Sequence, residues 1–290
     1  MKLSQLRHFQ AVCEYNSVTL AARAMHITQP SVSSSIRELE SELGVNLFHR
    51  VGRRLALTQE GEYLLERVSH ILRQLDALEI QMRDFGSRSN TIRIGVPPMI
   101  GTFLFPVIFD AFHEAHPEIK FQIVEHGSIR TKQMVLDDEL DVAIAIVGDS
   151  RDEALNKIQI LRTSLQYCVA PTHLLAGHDK IRLSDLGEEP LIFFKDDSFQ
   201  SAVLTEAFSN LGIRPDILLS SSQLYTIKKV IAQGRSGAFL FKEIAEMESD
   251  IVGIPLEDQL PMEIYLIWKK ERYIYREQAA FIEFIQAYDW

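Results

Sequence analysis

Between Thr28 and Arg37 the chain carries a closely spaced set of hydroxyl, amide and guanidinium side chains. Short hydroxyls at the start of a helix let the backbone approach DNA closely, and the first N–H groups of the helix can bind phosphate. An amide such as Gln29 can pair with adenine through two hydrogen bonds, and Arg37 can reach phosphate or guanine. A solvated polar helix face explains the same residues, so this segment alone leaves both interpretations open.

A second basic cluster follows at residues 50–54, between two short apolar patches. The pattern predicts a small hairpin with cationic residues at its tip. An Arg-Arg turn can also be a plain solvated loop, but a basic wing directly after a helix-turn-helix can bind the flanking DNA backbone or minor groove. The predicted DNA contacts are Thr28, Gln29, Pro30, Ser31, Ser33, Ser34, Arg37, Arg50, Arg53 and Arg54.

Three helices are predicted to position these side chains. The first covers Leu3–Tyr15 with Ser4 as its cap, and the second begins near Thr19. Thr28 caps the third helix, and Gly44 ends it. The buried stripe of the third helix, at spacings of four, three and four, consists of Val32, Ile36, Leu39 and Leu43. Together these elements predict a winged helix-turn-helix over residues 1–58.

The charge of the chain is unevenly distributed. The whole sequence has a net charge of -10. Residues 1–58 hold seven Lys or Arg and four acidic residues, a net charge of +3, which leaves -13 for the remainder. A basic end on an acidic body is expected when only one domain meets phosphate.

A long helix is predicted over residues 59–86, about 40 Å in length at 1.5 Å per residue. Its apolar positions alternate in steps of four and three, which is the heptad spacing of a two-stranded coiled coil. Packing of this helix on its own domain is the other interpretation, although its flanks are polar. The predicted dimerisation residues are Leu64, Val68, Ile71, Leu75, Leu78 and Met82. Residues 87–90 interrupt the pattern and are predicted to form a hinge.

Strands and helices alternate through residues 91–290, which predicts an α/β fold. A chain that leaves one sheet, builds another and returns makes two lobes. Lobe I is predicted over 91–162 and 269–290, and lobe II over 163–268. The crossings are expected near Leu161–Ser164 and Trp268–Lys270, and the cleft between the lobes is the natural ligand site.

Residues 1–65 closely resemble, without gaps, the N-terminal signature of LysR-type transcriptional regulators. The matching residues are Leu20-Ala21-Ala22, Thr28–Ser33, Ile36, Leu39-Glu40, Leu43-Gly44, Leu47-Phe48, Arg50, Gly52-Arg53-Arg54, Leu57-Thr58 and Gly61. The resemblance implies a homodimer bound to an inverted-repeat operator in double-stranded DNA, and often a homotetramer. Many members carry Arg where this chain has Ser34, so no operator preference transfers.

The C-terminal half resembles the effector domain of the same family, which shares its architecture with periplasmic binding proteins. The signs are Leu140–Ile144, Pro171 after a strand, and Ser222–Gly237. The implied effector contacts are Pro98, Met99, Ile100, Gly101, Thr102, Ser128, Ile129, Phe194, Lys195, Ser222 and Gln223. Donors at helix starts favour an anionic small molecule, with Lys195 as its charge partner. Each hydroxyl taken singly is also an ordinary helix cap, and Lys195 is equally a surface lysine.

Three other functions would leave different signatures in the sequence. An enzyme would show a motif such as GxGxxG, a P-loop or GxSxG, and none is present. His113 and His116 lie three residues apart without a metal signature, so no catalytic residue, cofactor or metal is predicted. A redox sensor would need a cysteine near Cys168, whereas Cys13 is distant, and both thiols are expected to be reduced.

A transporter's solute-binding protein would have the same two lobes. The N-terminal DNA module and the polar start Met1–Arg7 argue against it. No apolar run reaches the length of a membrane span, so no membrane association and a cytoplasmic location are predicted.

Overall fold

The computed structural model describes residues 1–51, 54–87, 90–148, 153–288 and 290. The side chains at positions 50, 51, 54, 73, 76, 77, 79–81 and 83–87 also lie outside the described part. Contacts divide the chain into two units, Met1–Arg88 and Ser89–Trp290, and the predicted hinge falls at this division. Among the described residues, no helix is both long enough and apolar enough to cross a membrane.

The first unit is a small helical domain with a two-stranded hairpin. Its elements are α1 (Leu3–Tyr15), α2 (Val18–Ala24), α3 (Gln29–Leu43), β1 (Phe48–Val51), β2 (Arg54–Leu57) and α4 (Gln59–Ser87). Ser17 caps α2 and Thr28 caps α3, while Gly44 ends α3 with a φ of +70°. The predicted span of α1 is confirmed, whereas its predicted cap, Ser4, is wrong. The cap residue is Lys2, whose backbone N–H donates to Gln5 Oε1 at 2.6 Å, and Ser4 lies inside the helix.

The core of this unit forms where α1, α2 and α3 meet. Three of the four predicted stripe residues of α3 are buried there: Val32, Ile36 and Leu39. Leu43 is 38% exposed because α3 ends at this residue and turns away.

Helix α4 packs its first half on its own domain, which corrects part of the predicted dimer seam. Val68 is only 1% exposed and, together with Leu72, belongs to the core of the first unit. Leu64 packs partly against the same core. Side chains used in this way cannot also line a coiled coil, so the seam prediction is wrong at Val68 and weakened at Leu64.

The second unit is an α/β domain. Its strands are β3 (Thr91–Gly95), β4 (Lys120–Val124), β5 (Val142–Ile146), β6 (Leu155–Val169), β7 (Pro190–Phe193), β8 (Asp216–Ser220), β9 (Gly237–Phe241), β10 (Val252–Pro255) and β11 (Pro261–Lys269). Its helices are α5 (Pro98–Phe103), α6 (Phe105–Ala115), α7 (Ser128–Leu136), α8 (Phe199–Asn210), α9 (Leu224–Ile231), α10 (Lys242–Glu246) and α11 (Arg276–Ala287). Short 3-10 helices cover Leu174–Gly177 and Leu183–Leu186.

The strand order β4-β3-β5-β11-β6-β9-β7-β8, with β10 beside β6, defines two lobes. In lobe I, β4, β3 and β5 run parallel, and β11 is antiparallel to both β5 and β6. In lobe II, β7 is parallel to β8 and β9, and the end of β6 is antiparallel to β9 and β10.

Strand β6 belongs to both lobes, and this changes the predicted lobe boundaries. Its residues 155–164 pair with β11, whereas Leu165 onward pairs with β9. The first crossing therefore lies at 164–165, at the edge of the predicted position. The second was predicted wrongly at Trp268–Lys270, because all of β11 already lies in the sheet of lobe I.

Candidate nucleic-acid interface and ligand cleft

The polar face of α3 is exposed on the surface of the first unit. Of the predicted contacts on this helix and its cap, Ser33 is half-buried; the exposed ones are Thr28, Gln29, Pro30, Ser31, Ser34 and Arg37. The apolar stripe occupies the opposite side of the helix, so burial of that stripe fixes which side chains face outward. These positions therefore lie on the broad side of α3 and its cap that points away from the core.

Hydrogen bonds along α3 hold these side chains in place. Thr28 Oγ1 accepts from the Ser31 N–H at 3.4 Å, which completes the helix cap. The Gln29 amide donates to Ser33 Oγ at 2.7 Å, and Arg37 Nε donates to the Ser33 carbonyl oxygen at 3.3 Å. Both long side chains are therefore ordered around Ser33, which lowers the entropy they lose on binding.

Ser34 has a different neighbourhood from the other hydroxyls. Its Oγ donates to Glu38 Oε1 at 3.1 Å, and Gln5 donates to the other carboxylate oxygen of Glu38 at 3.4 Å. Next to it, His8 Nδ1 lies 2.8 Å from Ser35 Oγ, and burial lowers the pKa of His8. Because the Glu38 carboxylate beside Ser34 repels phosphate, Ser34 is the least suited of the predicted contacts to bind the DNA backbone.

A groove between α3 and the hairpin adds one residue that the sequence analysis missed. Gln29, Pro30, Ser33, Arg37 and His49 all line this groove. In β1 Phe48 is half-buried and His49 is exposed, and both line the groove. Strand alternation would place these neighbours on opposite faces, so it gives no sequence signal for His49.

The hairpin is anchored to α3 at its base. Glu40 Oε1 accepts from the Leu47 N–H at 2.8 Å and from the Phe48 N–H at 3.3 Å. The Leu47 carbonyl accepts from the Thr58 N–H at 3.0 Å, just before α4 begins. The backbone of Leu47 thus ties the hairpin to α3 on one side and to the start of α4 on the other. The side chains of the predicted contacts Arg50, Arg53 and Arg54 lie outside the described part, so their role stays a prediction.

In the second unit, a narrow cavity of about 10 Å³, taken as the space open to the centre of a water molecule, lies between the two lobes. Seven predicted effector contacts line it: Pro98, Met99, Ile100, Ser128, Phe194, Lys195 and Ser222. The other wall residues are Pro97, Gly127, Ile146, Asp197, Ser198, Gln200 and Phe241. The predicted loops from both lobes therefore converge on one site.

The cavity is largely apolar, and its polar lining residues come from both lobes. Met99, Ile100, Phe194 and Phe241 form buried walls. Ser128 is buried, and its hydroxyl oxygen accepts from the Ile146 N–H at 3.1 Å, which ties α7 to β5. This serine is therefore mainly structural.

Four predicted effector contacts do not line the cavity: Gly101, Thr102, Ile129 and Gln223. Thr102 turns its hydroxyl back onto the Pro98 carbonyl at 2.9 Å, and Gln223 accepts from the Thr226 hydroxyl at 3.0 Å. The Ile129 side chain is 44% exposed on the outside of α7. Gly101 and Thr102 lie inside α5, and the Gln223 side chain makes no cap hydrogen bond to α9.

Within the described part of the chain, no group of three or more His, Cys, Asp or Glu could hold a metal ion. The cysteines are free thiols: Cys13 is half-buried and Cys168 is buried. Burial raises the pKa of each thiol to about 12. A thiol held protonated in this way is a poor nucleophile at neutral pH.

A winged helix-turn-helix with an exposed polar recognition face, together with a two-lobed cleft domain, defines a DNA-binding regulator that responds to a small molecule. The chain matches the bacterial regulatory helix-turn-helix protein, lysR family, over residues 3–62, and the LysR substrate binding domain over residues 85–290. It therefore belongs to the LysR family of transcriptional regulators.

Among its relatives, the uncharacterized HTH-type transcriptional regulator YwbI of Bacillus subtilis (strain 168) is 31% identical over 100% of this chain and 97% of that protein. The DNA-binding transcriptional dual regulator OxyR of Escherichia coli (strain K12) is 26% identical over 84% of this chain and 80% of that protein. The crystal structure of CbnR, a LysR family transcriptional regulator, has a TM-score of 0.68 at 20% identity and covers 99% of this chain and 98% of that chain. The last likeness concerns the fold alone.

Proposed function

We propose that this regulator binds duplex DNA through the exposed face of α3 and the basic hairpin. Gln29, Ser31, Ser33 and Arg37 face base edges in the major groove, and the arginines of the hairpin meet flanking phosphates. His49, at the groove between the two elements, is a further contact. The observation that carries the proposal is the contrast between the two sides of α3. Its apolar side is buried in the core, and its polar side is exposed and free for a partner.

The dimer of this proposal forms through the second half of α4. Three seam positions there are exposed large apolar side chains: Ile71 at 46%, Leu78 at 51% and Met82 at 61%. Leu75 is half-buried on the same seam. Exposed apolar residues at heptad spacing are best buried against a second copy. Two copies present two recognition helices to an inverted repeat, and two dimers make the tetramer that the family resemblance implies.

The ligand of this proposal is a small anion with an apolar body, bound in the cleft between the lobes. Met99, Ile100 and Phe194 would cover the apolar body, and Lys195, which makes no ion pair with a described residue, would meet the charge. The ligand acts by binding one arrangement of the lobes better than another. The proposed role involves binding and no reaction, and it is exercised in the cytoplasm, where the DNA lies.

Arg37→Ala tests the DNA face. A duplex selected by the wild-type protein from a random pool is titrated with the full-length chain, and fluorescence anisotropy reports binding. Loss of a base or phosphate contact of about 1–3 kcal/mol lowers affinity roughly 5- to 150-fold. The matched control is Arg162→Ala, which removes an exposed arginine of lobe I that pairs with Glu263. Equal affinities for the two variants would contradict the assignment of α3.

A further inference from the structure

The two lobes are joined across the cavity by Asp197, which lies between β7 and α8 of lobe II. Its carboxylate oxygen Oδ2 accepts from the Gly127 N–H at 2.8 Å. Its backbone carbonyl accepts from the Ile129 N–H at 3.1 Å. Gly127 and Ile129 belong to the start of α7 in lobe I. One residue of lobe II therefore satisfies two donors at the N-terminus of a lobe I helix.

The N-terminus of α7 is the place where an anionic ligand would gain most. Its N–H groups point outward and carry the positive end of the helix dipole. The Gly127 N–H is already bonded to a carboxylate of the protein itself, and the Ile129 N–H to the backbone carbonyl of the same residue. A hydrogen bond to an ionised acceptor is about twice as strong as a neutral one. An anionic ligand reaching α7 must therefore first displace Asp197.

Asp197 approaches α7 so closely that position 127 must be glycine. A Cβ added at Gly127 would lie 2.1 Å from the Asp197 carbonyl oxygen and 2.6 Å from the Ser198 nitrogen. The φ of Gly127 is -62°, which every residue type can adopt. Glycine is therefore needed here for the approach of lobe II and not for the backbone angle.

The turn that carries Asp197 is held by its own hydrogen bonds. Ser198 caps α8 by accepting from the Ser201 N–H at 3.2 Å. Ser201 in turn donates its hydroxyl to the Phe194 carbonyl at 2.9 Å. Both serines are buried. This arrangement fixes the position of Asp197 before it meets α7.

We propose that Asp197 is an internal ligand: it takes the place of an effector's carboxylate at α7 and holds the lobes together when no effector is bound. We call the pair of bonds from Asp197 to Gly127 and Ile129 the Asp197 latch. The inference rests on the proposed function, because it concerns the same cleft and an anionic effector. It adds a rule for which effectors the cleft accepts. A simple anion does not displace Asp197, whereas an acid does so if its apolar body also packs against the apolar walls of the cavity.

Two matched probes test the rule in the full-length protein: cyclohexanecarboxylate and the neutral cyclohexanecarboxamide. Calorimetry measures their affinities for the wild type, Asp197→Asn and the control Asp196→Asn. Asp196 is exposed, carries the same charge and does not line the cavity. Asp197→Asn should bind the carboxylate at least tenfold more tightly than the wild type does, and the amide within twofold. Asp196→Asn should resemble the wild type with both probes.

Hydrogen exchange at the Gly127 and Ile129 amides reports on the latch without any probe. Exchange at the Gly127 amide, which loses its carboxylate acceptor, should accelerate about tenfold in Asp197→Asn and remain unchanged in Asp196→Asn. Gly127→Ala provides a second route, because it keeps the Asp197 charge but prevents the close approach, and it should accelerate exchange at Ile129.

Unchanged exchange at these amides in both Asp197→Asn and Gly127→Ala would overturn the latch. An equal gain in affinity for both probes would overturn the role of Asp197 as an internal carboxylate, since loss of its charge should favour only the anion. Neither result affects DNA binding by Arg37→Ala, which depends on the first unit. Failure of the latch is thereby distinguishable from failure of the proposed function.

Discussion

Gly61→Ala tests how closely α4 must approach the hairpin. A Cβ at this position would lie 2.2 Å from the Leu47 carbonyl oxygen and 2.9 Å from Leu57 Cδ2. The oxygen belongs to a residue that is 1% exposed and already accepts from the Thr58 N–H. A backbone atom held in this way cannot move aside as the end of a flexible side chain would. The start of α4 and the hairpin must therefore separate to admit the methyl group.

Two opposing effects decide whether Gly61→Ala raises or lowers the stability of this region. Alanine is favoured over glycine inside a helix by about 0.8–1 kcal/mol. Overpacking costs about 1–3 kcal/mol, and a strained bond between Thr58 and Leu47 costs about 0.5–1.5 kcal/mol more. The clash outweighs the helix propensity, so we expect a net local destabilisation of about 2 kcal/mol.

Hydrogen exchange at the Thr58 amide measures this loss in the full chain. About 2 kcal/mol corresponds to roughly 30-fold faster exchange. DNA affinity should fall as well, because the hairpin is displaced from α3. The control is Gln59→Ala, which changes an exposed side chain of the same helical turn. Slower exchange at Thr58 in Gly61→Ala would mean that helix propensity dominates, and the packing argument would be refuted.

Two further predictions concern assembly and the thiols. Leu78→Asp places a charge on the exposed seam and should shift the protein from dimer to monomer, as measured by light scattering at micromolar concentration. The control Gln74→Asp changes an exposed residue of the same helix and should remain a dimer. Equal masses for the two variants would exclude this seam. Because burial raises the pKa of Cys168 to about 12 in the fold, folding favours the protonated thiol. Stability from this group is present below the unfolded thiol pKa of about 8.5 and is lost as pH rises from there toward 12. Iodoacetamide at pH 8 should therefore label Cys168 only after unfolding, and labelling of the native protein at the rate of the unfolded protein would contradict this.

The first unit was predictable because local rules determine most of it. Thr28 and Gly44 mark both ends of α3 by side-chain and backbone chemistry that short sequence windows contain. The hairpin followed from apolar patches on either side of a basic turn. The Glu40 contact with Leu47 was not predictable, since a side chain that bonds a backbone N–H seven residues away leaves no periodic signal.

The dimer seam and the cleft show where sequence patterns fail. Val68 has the same spacing whether it packs on a second copy or on its own domain, and only the tertiary structure decides between them. In the cleft, the loops that line the cavity were predictable because they follow strands. The predicted contacts included Lys195 but not Asp197, which also lines the cavity. Its role depends on a contact with Gly127, 70 positions earlier in the chain.

The continuity of β6 restricts how the lobes can move. A strand shared by two sheets cannot slide without breaking several backbone hydrogen bonds at once, but it can flex where its partner changes, at 164–165. The return segment passes beside that point, where the Leu165 N–H donates to the Leu260 carbonyl at 3.3 Å. The two connections between the lobes thus run side by side at this point, so we expect any opening of the cleft to be a rotation about it, with an angle set by the size of the molecule that enters.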